Sequence, residues 1–469
     1  MSAGLIGILI AVAMLVYLSW RGMSPLVISP LMAVLAACFC VPAQAMAYYT
    51  QTYMSNLGGF IVANFPIFLL GAIFGKMMEE SGSARVIAKR ITTAFGPAHA
   101  VTAVALVCLV LTYGGVSVFV AVFAILPLAA VLFREADYAP RLIPATIGLG
   151  GMVAACATLP GAVQLHNVLP GQYYGTTTAA AWGVGLIASV LMLGLGWIYL
   201  NWRLKVYIQC GERFDPEWIV AKTMAGASQS ADQREPSFVV ATLPLLIVLG
   251  GNYLLSDRIF RSEQATEMFG FLADKPFETT LARVAPNWSL IFALAVACLL
   301  MTILYFRKWE PLNRVLTSGA NASLLPTFNT AAVVGFGAVV VGLPAFLAVK
   351  GDCFTAFDNP LLSQFVAIQL GGLATGSPLG GLGLVLKDMG AVYHDTAAQQ
   401  GISLEWMHRF AAMSSLGLAC LPHCGLINSL FAICGQSPKK AYADLGVVVA
   451  LIPTLVTLAM LGAVVLLLM

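Results

Sequence analysis

Charge is the scarcest property of this chain. Asp, Glu, Lys and Arg make up 10% of its 469 residues against 59% hydrophobic ones, where a soluble domain carries roughly 25% charged residues. A soluble globular fold is therefore excluded, and the sequence is that of a polytopic membrane protein. The formal net charge of +3 is too small to point to nucleic acid. No H-E-x-x-H or G-x-S-x-G motif is present, so a hydrolase has no recognisable engine and no enzyme is expected. The ten cysteines mostly stand singly in apolar runs, which implies no disulfide framework. The first residues, MSAGLIGILIAVAMLVYLSWRG, lack a basic leader, and read as a retained first span.

Apolar runs of about 20 residues, the length that crosses ~30 Å of hydrocarbon, fall near 3–20, 25–43, 60–77, 141–175, 179–202, 237–255, 286–306, 325–349, 405–435 and 443–468. The spans at 141–175 and 405–435 are broken by Pro and Gly. Two further runs, 99–133 and 361–386, are too long for one crossing and too short for two. Each has a glycine-rich middle, TYGGVS and TGSPLGG, and reads as a re-entrant hairpin. The predicted fold is thus all-α, with two inverted repeats at 1–202 and 237–469 joined by a linker at 203–236. Each repeat has five spans, one of them broken, and one hairpin, as in many secondary transporters.

Placing both termini outside puts seventeen of the 24 Lys and Arg residues on the cytoplasmic face. The other face then keeps Arg258, Arg261, Lys275, Arg283, Lys350, Lys387 and Arg409, a bias that follows the positive-inside rule. The stretch SGSARVIAKRI, 81–91, reads as an amphipathic helix on the cytoplasmic surface, and the adjacent Glu79 and Glu80 as a solvated helix start rather than a proton relay.

A helix broken in hydrocarbon leaves polar backbone groups that protein, water or ligand must satisfy. Two hairpin tips and two broken spans are therefore expected to line one site, whose helix N-termini attract an anion and whose carbonyls hold a cation. No charged residue occurs in 98–133, 142–202, 359–386 or 410–438. A site without fixed side-chain charge suits a small monocarboxylate better than a dicarboxylate or citrate. Candidate substrate contacts are Tyr113, Gly114, Gly115 and Ser117 in hairpin one, and Thr158 and Asn167 in the first broken span. Thr375, Gly376, Ser377 and Gly380 in hairpin two, with Asn428 and Ser429 in the second broken span, complete the set. For each, ordinary helix-to-helix bonding is the competing reading.

His166 and His423 are the titratable side chains inside the broken spans and the candidates for carrying a coupled proton. A neutral histidine bonded to a carbonyl competes with that reading, and so does sodium held by backbone and hydroxyl oxygens. Cys420 and Cys424 flank His423 without a second half-site, so neither metal nor cofactor is expected.

The run FLLGAIFGKMMEESGSARVIAKRITTAFGP, 68–97, resembles the gluconate permease (GntP) family through its G-K-x-M-x-x-S-G-x-A core. The tail PHCGLINSLFAICGQSPKKAY, 422–442, is similar to that family's H-x-N-D-S-x-F segment. The resemblance implies proton-coupled uptake of sugar acids and other small hydroxy acids across the inner membrane, by a member of the wider ion-transporter superfamily. Where the gluconate carriers place Asn and Asp soon after the histidine, this chain has Cys424, Gly425 and Leu426. The P-P-H-P run expected near Leu159-Pro160 is also missing. Both departures favour a substrate smaller and less polar than gluconate, such as a short hydroxy or keto acid. The expected mechanism is alternating access, each hairpin moving with the broken span of its own repeat against a scaffold of the other spans. A sodium-coupled carrier and an organic-anion exporter or channel are the alternatives, and a homodimer is a possible assembly.

Overall fold

The computed structural model describes residues 3–113, 118–162, 164–215, 218, 236–305, 312–354 and 357–468, and among these it contains helices and no strands. Most of the 203–236 linker lies outside the described residues. In chain order the helices begin with α1 (Ala3–Trp20), α2 (Pro25–Cys40), α3 (Met54–Glu80) and α4 (Ser83–Phe95). Hairpin one is α5 (Ala100–Tyr113) and α6 (Val118–Glu135). The first broken span is α7 (Ile143–Gly148), continued by π-helical Leu149–Thr158, then α8 (Leu165–Tyr174).

After α9 (Trp182–Gln209) come α10 (Phe238–Tyr253), α11 (Leu281–Tyr305), α12 (Leu312–Gly342) and α13 (Pro344–Phe354). Hairpin two is α14 (Pro360–Thr375) and α15 (Pro378–Gln399). The second broken span is α16 (Leu404–Ser414) and α17 (Gly425–Cys434), followed by α18 (Pro438–Gly446) and α19 (Ile452–Leu468). Among the described residues six helices are long and apolar enough to cross a membrane, or seven counting the second broken span, which bends by 63°.

Helix ends depart from the hydropathy runs where the backbone, not side-chain polarity, decides. The span expected at 325–349 is a helix from Leu312 to Gly342. Its polar start, with Thr317, Ser318 and Asn321, keeps the i to i−4 ladder, and Pro344, which lacks an N–H, starts the next helix. Likewise α3 runs to Glu80, so Glu79 and Glu80 close a helix and do not start one.

The chain forms two compact units. The first comprises 1–63, 141–212 and 325–469, and the second 64–140 and 213–324. The first unit holds both broken spans and hairpin two; hairpin one belongs to the second. In the first unit Ala11, Leu15, Ile28, Ala33, Ala36 and Ala37 pack with Phe336, Val339 and Val340. Alanines at this crossing let α1 and α2 approach closely. That matters in lipid, where packing rather than water exclusion holds helices together. In the second unit α4 lies against α6 and α10, with Ala84 and Ile87 buried and Lys89 and Arg90 exposed, the two-sided pattern expected of 81–91.

Candidate functional site

The first break follows from Pro160, which offers no N–H, and from Gly161 at φ +79°. Its loose backbone is not left to solvent. Arg409, on α16, is fully buried and spends its guanidinium on neutral oxygens. Nε and one terminal nitrogen donate to Ala180 O at 3.0 and 2.8 Å, and the same terminal nitrogen reaches Thr178 O at 2.9 Å. The other donates to Asn167 Oδ1 at 2.8 Å and, at 3.5 Å, to Thr158 O. Asn167 Nδ2 in turn donates to Ala162 O and Thr178 O, both at 2.8 Å. Beside Arg409, His408 Nε2 donates to Asn167 Oδ1 at 3.3 Å, and Nδ1 accepts from the Thr176 hydroxyl at 2.7 Å. Glu405, one turn earlier, accepts from Ala181 N at 3.0 Å. One face of α16 thus clamps the 176–181 turn and the first break together. Among the described residues no carboxylate pairs with Arg409, so a net positive charge sits buried at the break.

The second break is closed in the same way. Gln369 of hairpin two donates from Nε2 to Ser414 O (3.1 Å) and Leu416 O (2.9 Å) and accepts Leu418 N at 2.8 Å. Gly417 occupies φ +89°, ψ −121°, a region open essentially to glycine. Asn428 Nδ2 donates to Pro422 O (2.7 Å) and Cys424 O (2.9 Å). The tip of hairpin two docks here: Gly425 N donates to Gly376 O at 3.2 Å, and His423 Nε2 donates to Leu373 O at 2.9 Å. Gly376 turns the chain at φ +59°, with His423 Cδ2 only 3.1 Å from where a Cβ would stand. The opposite nitrogen of His423, Nδ1, is buried and meets no hydrogen-bond partner among the described residues, and the same holds for Nδ1 of His166.

The structure brings together Thr158 and Asn167 at the first break, and Gly376, His423, Asn428 and hairpin two at the second. Thr158 Oγ1 is spent on Val153 O and on Ser189. Thr375 Oγ1 bonds Gly371 O at 2.8 Å, and Ser377 Oγ caps Gly380 N at 3.0 Å. Ser429 bonds Thr330 and Pro326 O. Tyr113 lies at the end of α5 in the second unit, half exposed, while Gly114, Gly115 and Ser117 lie outside the described residues. Hydrogen bonding within the protein thus occupies most of the expected hydroxyl contacts.

One sequence-based expectation is corrected. Arg409, counted above among the residues of the outer face, is fully buried in the broken span, so the region does carry a fixed charge. It was missed because it stands one residue outside the uncharged run 410–438, and its partners lie some 240 positions away. A buried carboxylate also exists: Asp444 on α18 is fully buried. It pairs with Arg203 at 2.6 Å and accepts from Tyr199 (3.0 Å) and Tyr207. Arg141 and Arg203 each stand 4.5 Å from the Tyr207 ring centroid. Asp444 is therefore neutralised within its own cluster.

Long apolar helices with two interruptions closed by side chains mark a multi-pass membrane protein. The family described as GntP family permease matches residues 3–318. The chain is similar to an uncharacterized transporter, YxjC, of Bacillus subtilis (strain 168), at 33% identity over 446 residues covering 94% of each chain. It is also similar to an uncharacterized transporter of Haemophilus influenzae (strain ATCC 51907 / DSM 11121 / KW20 / Rd), at 29% identity over 257 residues, 52% of this chain and 54% of that one. The protein belongs to the GntP permease family, whose members are transporters rather than enzymes.

Proposed function

We propose that this permease is a proton-coupled symporter that takes up a small organic monocarboxylate, a short hydroxy or keto acid, by alternating access across the inner membrane. The observation that supports this most directly is the buried, carboxylate-free charge of Arg409 beside the first break. One fixed positive charge, together with the positive ends of the half-helices α8 and α17, balances one carboxylate. A dicarboxylate would leave a second charge desolvated. The guanidinium is already saturated by carbonyls, so it acts on the substrate through its field. The substrate's polar atoms find the unpaired Nδ1 atoms of His166 and His423.

Each of those nitrogens is also the place for the coupled proton. With Nε2 donating to Leu373 O, the neutral form of His423 keeps Nδ1 as a bare acceptor. Adding a proton turns it into a charged donor facing a carboxylate. Sodium fits less well, because the carbonyls of Thr178, Ala180, Pro422 and Cys424 already receive side-chain donors.

The inverted-repeat reading rests on the two breaks. Asn167 and Asn428 each follow a Leu-Pro pair and donate to two carbonyls. The half-helices α8 and α17 are each ten residues long and end on left-handed Gly175 and Gly435, at φ +63° and +61°. The repeats at 1–202 and 237–469, the cytoplasmic linker, both termini outside and a homodimer complete the proposal.

Uptake by purified protein in liposomes tests it, with labelled lactate, 3-hydroxybutyrate and gluconate under an inward proton or sodium gradient. Accumulation driven by protons is expected. Accumulation driven only by sodium would refute the coupling, and gradient-independent flux would mark a channel.

A further inference from the structure

The motif shared with the family, Gly75 to Ala84, lies in the second unit, and none of its residues enters the site above. We propose that Glu79 within it is a further proton-binding site, a carboxylate taking up and releasing a proton at Oε1 in step with transport; this rests on the proton-coupled reading. Glu79 stands in the last turn of α3, where the carbonyl end of the helix disfavours an anion. Its side chain is only 10% exposed, and Oε2 lies 3.2 Å from Lys76 Nζ. Its other oxygen, Oε1, is buried without a hydrogen-bond partner among the described residues. An ionised carboxylate ordinarily fills both oxygens with donors. Here the second is left to a proton.

The neighbours make that proton affordable. Lys76 Nζ also lies 3.1 Å from Glu80 Oε1, and Glu80 is 34% exposed. When Glu79 becomes neutral, Lys76 keeps Glu80, so no buried cation is stranded, which is the usual cost of breaking a buried pair. Lys76, Glu79 and Glu80 then pass between net −1 and net zero. The elements packed on α3 in this unit add no fixed charge against Glu79 among the described side chains. From α6, Phe119 and Phe123 make the contact, while Arg134 and Glu135 are exposed. From α12, Gly319 meets Ile73, and Arg314 is exposed. From α11, Cys298 reaches Leu70 O, and residues 287–305 carry no charge. On α4, Lys89 and Arg90 are exposed, and the Arg85 side chain lies outside the described ones.

Proteoliposomes loaded with the acid that the wild type accumulates test the assignment. In Glu79→Gln, accumulation driven by a proton gradient should fall at least about tenfold. Substrate counterflow, which moves no net proton, should persist, and the exposed control Asp274→Asn should keep both. A Glu79→Gln protein that accumulates like the wild type overturns the proposal. A wild type that ignores the proton gradient sinks the symport reading instead. Should Glu79→Gln lose counterflow as well, Glu79→Asp decides: a displaced pH profile of driven uptake supports the site, and an unchanged profile overturns it.

Discussion

Replacing Arg409 separates its two roles, clamp and charge. In Arg409→Met the structural loss is smaller than the number of contacts suggests. Thr178 O keeps Gly161 N at 2.9 Å and Asn167 Nδ2 at 2.8 Å, and Asn167 Oδ1 keeps His408 Nε2 at 3.3 Å. Ala180 O, however, loses both of its Arg409 donors, and a buried carbonyl so orphaned costs about 1–3 kcal/mol. Removing a desolvated cation acts in the opposite direction. The net destabilisation should therefore stay below about 2 kcal/mol, read as a slightly lowered melting temperature in detergent. The effect on transport is of another kind. An anion held about 8 Å from the guanidinium at an effective dielectric near 20 gains about 2 kcal/mol. Its loss raises Kd roughly 30-fold, measured by the concentration dependence of uptake or by calorimetry. Arg409→Lys keeps the charge while losing the five-donor fork, so it should melt early yet bind substrate nearly as well as the wild type. Equal weakening of binding in the Lys and Met variants would refute the electrostatic role, and unchanged binding in Arg409→Met would refute it outright.

His423→Ala should abolish accumulation driven by a proton gradient while leaving exchange of internal for external substrate; driven accumulation at the wild-type level would remove His423 from the coupling. Gln369→Leu strips partners from Ser414 O, Leu416 O and Leu418 N, at roughly 1 kcal/mol or more each. It should lower the unfolding midpoint by more than Arg409→Met does, and an equal or smaller shift counts against the cradle. Gly376→Val forces a β-branched residue to φ +59° and drives its Cβ to 2.6 Å from Val333. Left-handed strain of about 1–2 kcal/mol adds to overpacking of about 1–3 kcal/mol, so chemical denaturation should show a loss of about 2–5 kcal/mol. An unaltered midpoint would mean that the hairpin tip is not packed as described.

Six or seven of the ten expected crossings, counted among the described residues, and the two breaks were legible because each is written locally. Twenty apolar residues make a crossing, and Leu159-Pro160 or Gly417 with Pro422 interrupts one wherever it occurs. What satisfies a break is written elsewhere in the chain. Gln369 lies in a hairpin, and the turn that Arg409 grips, 176–181, precedes it by more than 200 residues, so no local pattern joins them. Reading charge by runs also hid the cation, since a lone arginine at the edge of an apolar segment looks like the start of a loop. The same distance in sequence hid the fate of the hydroxyls: Ser429 looked free until Thr330 and Pro326 of α12 came beside it. The argument that a broken helix must expose its carbonyls to a ligand is therefore too strong for this protein. Its breaks are closed from within by Arg409, Asn167, Gln369 and Asn428. Among the described residues they leave one buried positive charge and two histidine nitrogens with no partner, and it is on these that the proposed binding of a monoanion with a proton rests.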